Sequence, residues 1–337
     1  GPTDDDITTS ALFKFANVSS SFDSEYWELL KNRFQKHGMR IPESNRSQAR
    51  VPSKGEVIGN PIGSARGFKL KVGGTIIFSL PGVPNEMMGM MRNSVFPWLK
   101  KNSKSKKYIK ILCTTGIPES VLIEKISDQI NKDHGCTLGY YPSVYGLEIQ
   151  ISSKDKEKVV LLFNILLKKL NEYVYGEDGE KIEEVVVRNA QDLNLSIAIA
   201  ESCTGGLIGD KITNVSGSSS VFNGGIVSYS NESKIKVLGV KKQCIQSNGA
   251  VSEDTAMEMA DNIRRKFFSD IGLSVTGIAG PGGGTNDRPI GLVFIGISNK
   301  NGVKAFKMNF GKNRINNKER TCQAALDILR KELKKYE

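Results

Sequence analysis

The residues with the most chemistry in them fall in the last 160 positions. Ala200-Glu-Ser-Cys-Thr-Gly-Gly206 follows a short apolar run and packs a cysteine, hydroxyl and carboxylate side chains and two glycines into one tight bend. Gly217-Ser-Ser-Ser220 and Gly277-Ile-Ala-Gly-Pro-Gly-Gly-Gly284 are further glycine-bearing bends. Such bends expose successive backbone N–H groups, and a helix starting after Gly206 would add its positive end, so together they read as an anion cradle suited to a phosphate. Any one of them alone is also explained as simple chain reversal. Cys203 has two readings: a thiolate nucleophile at a helix start, or a small buried residue packed under a glycine turn, which is the favoured one. Both histidines of the chain, His37 and His134, precede residue 140. Chemistry housed in the C-terminal part therefore has no histidine of its own to use as a base.

These bends need strands and helices to carry them. From Glu180 onward the pattern repeats helix, strand, glycine turn, helix, with strands expected at Ile197 to Ala200, Gly225 to Tyr229, Leu273 to Thr276 and Leu292 to Ile297. Asn301-Gly302 predicts a hairpin into Val303 to Phe310, and Ser252 predicts the cap of a helix with Ala256, Ala260, Ile263 and Phe267 on one face. A three-layer α/β domain with an antiparallel edge is the simplest closure. Upstream, a strand at Tyr108 to Cys113, a helix from Pro118, short strands near Gly139 to Tyr141 and Leu147 to Ile151, and a long helix over Lys154 to Val174 predict a small α+β module. The first hundred residues hold a helical stretch, Glu25 to His37, a strand at Thr75 to Leu80 and a methionine-rich helix, Asn85 to Arg92. Basic, serine-rich Lys100 to Lys107 reads as a linker, which gives domains at 1–100, 101–179 and 180–337.

At 337 residues the chain exceeds one ordinary core. Its five scattered cysteines, with no CxxC pair, argue against a disulfide framework or a zinc ribbon and fit a reducing cytoplasm. No apolar run reaches membrane-spanning length and no signal peptide is apparent, so a cytoplasmic protein without a membrane partner is expected. The net charge of +11 admits nucleic acid but equally anionic small substrates, and its clusters look like solvated linker and helix surface.

In combination, Ala200 to Gly206, Gly217-Ser-Ser219, Val227-Ser-Tyr-Ser-Asn-Glu232 with Lys234, Gly249-Ala-Val-Ser252, and Gly277 to Pro281 followed by Pro289-Ile-Gly291 resemble the nicotinamide-nucleotide amidase domain of the CinA family. Gly1-Pro-Thr-Asp-Asp5, Asn45 to Pro52, Asn60-Pro-Ile-Gly63 and Leu80-Pro-Gly-Val-Pro84 with Glu86 resemble that family's molybdopterin-binding-like N-terminal α/β domain, and the middle segment its KH-like connector. The resemblance implies hydrolysis of the carboxamide of nicotinamide mononucleotide to nicotinate mononucleotide and ammonia, without a cofactor, in a homodimer. It places a catalytic serine, lysine and tyrosine at Ser219, Lys234 and Tyr229, and substrate contacts at Ser202, Thr204, Gly205, Gly206, Gly277, Ala279, Gly280 and Arg314. The expected roles are nucleophile for Ser219, neutral amine base for Lys234, kept uncharged by a helix start and partial burial, and proton relay for Tyr229.

The family's reported ADP-ribose pyrophosphatase activity would require a divalent ion, Mg²⁺ or Co²⁺, which Asp4 and Asp5 would hold; capping of the first helix is the equal alternative for that pair. The resemblance also implies a strand-helix half-domain ahead of Gly1 that this sequence does not contain, and Arg66 stands where the family usually has proline. Around Arg314 the family's usual Gly-Asp-Arg reads Lys312-Asn-Arg314, with only the arginine kept. The connector lacks the Gly-x-x-Gly loop of RNA-binding KH domains, so nucleic-acid binding ranks last.

Overall fold

A computed structural model describes residues 7–103 and 106–336. The chain divides into two units, 1–106 and 107–337. The first unit carries helices α1 (Thr8–Phe15) and α2 (Ser24–Lys36), separated by strand β1 (Ser20–Phe22). Strands β2 (Arg50–Pro52), β3 (Glu56–Ile58), β4 (Gly67–Val72) and β5 (Thr75–Ser79) follow, then helices α3 (Pro84–Met90) and α4 (Phe96–Asn102). Strand β1 pairs with β2, and β3, β4 and β5 form an antiparallel sheet whose apolar side, Phe68 and Leu70, packs on Phe13 of α1. Arg66 has a structural task here. Its guanidinium lies 2.6 Å from the Asp23 carboxylate and 3.7 Å from the centroid of Tyr26, tying the Asn60 to Gly67 loop to the start of α2. Asp23 is also the cap of α2, accepting from Tyr26 N–H, and the Arg66 hydrogen bond holds its carboxyl below the ordinary range. Asp4 and Asp5 lie outside the described residues.

The second unit opens with the connector: β6 (Tyr108–Thr114), α5 (Glu119–Ile130), β7 (Thr137–Ser143), β8 (Gly146–Ser153), α6 (Lys156–Leu170) and β9 (Val174–Glu177). Its sheet runs β7-β8-β6-β9, antiparallel throughout, under the apolar faces of α5 and α6. The helix expected to continue to Val174 ends at Leu170, and β9 takes its place on the sheet edge.

The C-terminal part adds α7 (Ile182–Asp192), β10 (Ile197–Glu201), α8 (Leu207–Thr213), β11 (Phe222–Val227), α9 (Asn231–Lys236) and α10 (Lys242–Asn248). It finishes with α11 (Glu253–Lys266), β12 (Ile271–Gly277), β13 (Leu292–Asn299), β14 (Gly302–Asn309) and α12 (Arg314–Leu333). The strand order is β11-β10-β12-β13-β14, with the first three parallel and the last two antiparallel additions. Strand β10 is buried on both faces: Ile197 and Ile199 join the core under α7, α8 and α12, while Ala198 and Ala200 join the core under α11. That alternation makes the domain a three-layer α/β sandwich. After β10 the chain crosses to β11 on one side and then to β12 on the other. A crevice therefore opens at the carboxyl ends of these strands, the usual ligand position in open α/β sheets.

The connector sits on this domain through specific contacts. Arg330 of α12, 1% exposed, pairs with Asp327 at 2.8 Å and donates to the Glu172 carbonyl at 3.3 Å. Lys211 of α8 lies 4.4 Å from the centroid of Tyr145 at the tip of the β7–β8 hairpin.

Candidate active site

Glu201 ends β10, and the next residues must leave the sheet. Gly205 and Gly206 permit this by adopting φ of +66° and +99°, which a side chain would strain. The Glu201 carboxylate then folds back over the turn and accepts from the N–H groups of Gly206, Ile208 and Gly209 at 2.9, 3.2 and 2.8 Å. The orphan donors at the start of α8, expected from the sequence to cradle a substrate phosphate, are thus satisfied by the protein's own carboxylate. Thr204 is fully buried and Gly205 and Gly206 turn the chain into α8, so none of these three lines the pocket, contrary to their expected contact with substrate. Ser202 and Cys203 do line it.

Lys234 enters from α9. Ser230 caps that helix by accepting from Ser233 N–H at 3.0 Å, while Ser233 Oγ accepts from Ser230 N–H, a reciprocal box that fixes the helix start. Helical side chains lean toward the N-terminus, which sends Lys234 back toward the end of β11. Its Nζ donates to the Ser228 carbonyl at 2.7 Å and to Ser202 Oγ at 2.8 Å. Lys234 is 1% exposed and has no carboxylate partner among the described residues. Burial pushes its pKa down from 10.5 to about 8. The adjacent Cys203 is buried too, and burial drives its pKa up to about 12, so it is a thiol and not a thiolate at neutral pH.

The third wall is the turn after β12. Gly277 has no room for a side chain, since a Cβ there would stand 2.6 Å from Val293 and 2.7 Å from the Leu292 carbonyl. Asn317 Nδ2 holds the turn by donating to the Ala279 and Gly311 carbonyls at 3.0 and 2.8 Å. Arg314, first residue of α12, donates to the Gly280 carbonyl at 2.6 Å and to Tyr229 Oη at 2.8 Å. Together these surfaces enclose a pocket of about 300 Å³ lined by Ser202, Cys203, Lys234, Tyr229, Arg314 and the 277–283 turn.

The fold brings together Ser202, Lys234, Tyr229, Gly277, Ala279, Gly280 and Arg314 from the expected set. Ser219 is not among them. It stands, itself exposed, on the 3-10 turn Ser218–Ser220, before β11 begins, whereas Lys234 meets the chain after β11 ends. Six strand residues at about 3.3 Å each separate the two ends by roughly 20 Å, so Ser219 and Lys234 do not share a proton. Gly217-Ser-Ser-Ser220 instead anchors α7, with Gln191 Nε2 donating to the Gly217 carbonyl at 2.9 Å and to Ser220 Oγ at 3.1 Å. Tyr229 is largely exposed and its hydroxyl is engaged by Arg314, not by Lys234. Glu201 and Asn317 had no role in the sequence reading; an acid five residues before a Gly-Gly helix entry was the available signal for the first. Among the described residues no group of three or more His, Cys, Asp or Glu side chains could hold a metal ion, and no helix is long and apolar enough to cross a membrane.

Residues 179–333 match the CinA C-terminal domain family, residues 109–176 the damage-inducible protein CinA KH domain and residues 1–101 the family described as a probable molybdopterin binding domain. A putative competence-damage inducible protein of Caldicellulosiruptor bescii is 41% identical over 343 residues, spanning 100% of this chain and 83% of that protein. A CinA-like protein of Kosmotoga olearia is 38% identical over 341 residues, covering 99% and 82% respectively. Among solved structures, the competence/damage inducible protein CihA from Agrobacterium tumefaciens is 37% identical, with a TM-score of 0.44 over 46% of this chain and 97% of that one.

Proposed function

From the premise that this chain belongs to the CinA family, we propose that its C-terminal domain hydrolyses the carboxamide of a pyridine mononucleotide, with Ser202 as nucleophile and Lys234 as base. The observation that carries this reading is the 2.8 Å contact between a buried, carboxylate-free lysine and a serine hydroxyl on the wall of a pocket. With its pKa lowered to about 8, this lysine keeps roughly a tenth of its population neutral at pH 7, where an exposed one would keep well under about a thousandth, so it is a serviceable base.

Neutral Lys234 Nζ takes the Ser202 proton as Oγ attacks the carboxamide carbon. The resulting ammonium returns a proton to the leaving nitrogen, which departs as ammonia and leaves a seryl ester. Water, deprotonated by the same amine, cleaves that ester, releasing the carboxylate and restoring Ser202. The Ser228 carbonyl keeps Nζ aimed through both halves, since it accepts from the amine and the ammonium alike. Arg314 at the pocket rim would receive the substrate phosphate, a role supported by the Tyr229 hydroxyl that accepts from its guanidinium.

Ammonia release from nicotinamide mononucleotide tests the assignment. Ser202→Ala is expected to lose turnover by about a thousandfold or more, and Ser219→Ala to retain it. An inactive Ser219→Ala beside an active Ser202→Ala would return the nucleophile to the 217–220 turn.

A further inference from the structure

A second cavity, of about 310 Å³, lies between the connector and the C-terminal domain, lined in part by α8 and α12. Tyr145 and Glu148 face it from the β7–β8 hairpin, Tyr175 from β9, Glu183 from the first turn of α7, Lys211 from α8 and Gln323 from α12. Its size falls at the small end of ligand pockets, roughly 300 to 1,000 Å³.

Two features of its lining lack internal partners. Gln323 is 5% exposed, and its Nε2 donates to nothing among the described residues. A buried amide N–H left unpaired is costly, so natural cores seldom keep one without a ligand or water to receive it. Opposite in character, the carboxylates of Glu148 and Glu183 have no ion pair among the described residues, although Glu183 is only 8% exposed. The cation already present does not neutralise them, because Lys211 is taken by Glu319 at 3.2 Å and by the Tyr145 ring. Lys181, also on the lining, is exposed, and its ammonium pairs with no carboxylate among the described residues. Burial first, and then the neighbouring Cys113 and the Glu148 and Glu183 carboxylates, push the Tyr175 hydroxyl above its ordinary value.

We propose that this cavity binds a small zwitterion, an ammonium group received by Glu148 and Glu183 with a neighbouring carboxylate or carboxamide oxygen received by Gln323. The Tyr175 ring suits it further, since an ammonium is attracted to an aromatic face. Free α-amino acids and their amides have this chemistry. Such a ligand touches α8, which begins at the Ser202 loop, and α12, which begins at Arg314, so its occupancy is positioned to bias the candidate active site.

The test is calorimetric titration of the full chain with each protein amino acid singly, and with methylammonium and acetate as half-ligands. Heat of binding is read without turnover, so the result is independent of the roles given to Ser202 and Lys234. At least one amino acid is expected to bind, with each half-ligand at least tenfold weaker, and Glu183→Gln and Gln323→Leu should each weaken it tenfold or more. Unliganded Gln323→Leu should also melt above the parent, because it removes an unpaired buried donor at similar volume. Absence of binding by every amino acid, binding untouched by both substitutions, or acetate binding as well as the zwitterion would overturn the proposal. So would a Gln323→Leu variant that melts below the parent, the mark of a cavity holding structural water only.

Discussion

Replacing Lys234 by methionine separates the cost of the buried amine from its use. At pH 7 the ammonium form carries a penalty set by the fall in pKa from 10.5 to about 8, which corresponds to about 3 kcal/mol against folding. Methionine has a similar length and no charge, so that penalty vanishes. The substitution also leaves Ser202 Oγ and the Ser228 carbonyl without their donor, at about 1 kcal/mol each. The net is a stabilisation of about 1 kcal/mol at pH 7, a rise in melting temperature of about 2–4 °C. The sign depends on pH in a defined way. Below the folded pKa both states hold the proton and the penalty is complete; between about 8 and 10.5 the unfolded state binds more protons, so the parent gains stability as pH rises. Parent and variant should therefore become equal near pH 9 and exchange order above it, by about 2 kcal/mol when the unfolded lysine is also neutral. Thermal melts of both proteins from pH 7 to 10 read this directly, with ammonia release assayed in parallel and expected to be absent from the variant. A variant less stable than the parent at pH 7, or a difference flat across that range, would refute a lysine held near neutrality by burial.

The same pKa governs rate. With Lys234 as base, kcat/KM for nicotinamide mononucleotide should climb about tenfold per pH unit below the lysine pKa of about 8 and level off above it, and a profile that falls over this range would exclude the amine as base. Arg314→Gln should raise KM for the mononucleotide by about tenfold or more while leaving the unphosphorylated riboside unaffected, as paired kinetics would show. Glu201→Gln should lower both the melting temperature and kcat, at a cost of about 2 kcal/mol or more in stability, because an amide cannot accept from three N–H groups with both of its heteroatoms.

Local chemistry made much of the framework legible. The Ser252 cap, the Asn301-Gly302 hairpin and the short apolar runs at β10, β12 and β13 each announced an element through a short-range signal, and each element formed within a few residues of its expected span. Strand β9 was hidden because Val174-Tyr-Gly-Glu177 follows a helical pattern directly and becomes a strand only by pairing with β6, some sixty residues earlier. The site divides in the same way. Lys234 and the cap of its helix are set by neighbours in sequence, while its expected role came from the family resemblance. Which serine meets the lysine depends on strand order: Ser202 and Ser219 are both serines in glycine-bearing bends, and only the parallel pairing of β10 with β11 puts one at the carboxyl end and the other at the amino end. Arg66, conspicuous as a departure from the family's proline, likewise found its reason in Asp23, distant in sequence and adjacent in space.

The carboxylate of Glu201, folded over the first turn of α8, bears on how the neighbouring pocket is prepared for a ligand. A helix end already filled by a tethered counterion neither waits for a ligand to organise it nor admits buffer phosphate as a competitor. The loop bearing Ser202 is consequently set before any ligand arrives, and an anionic ligand would have to be met elsewhere, as by Arg314 at the head of α12. Ser202 precedes one helix and Arg314 opens another, so the two walls of the pocket can be altered independently.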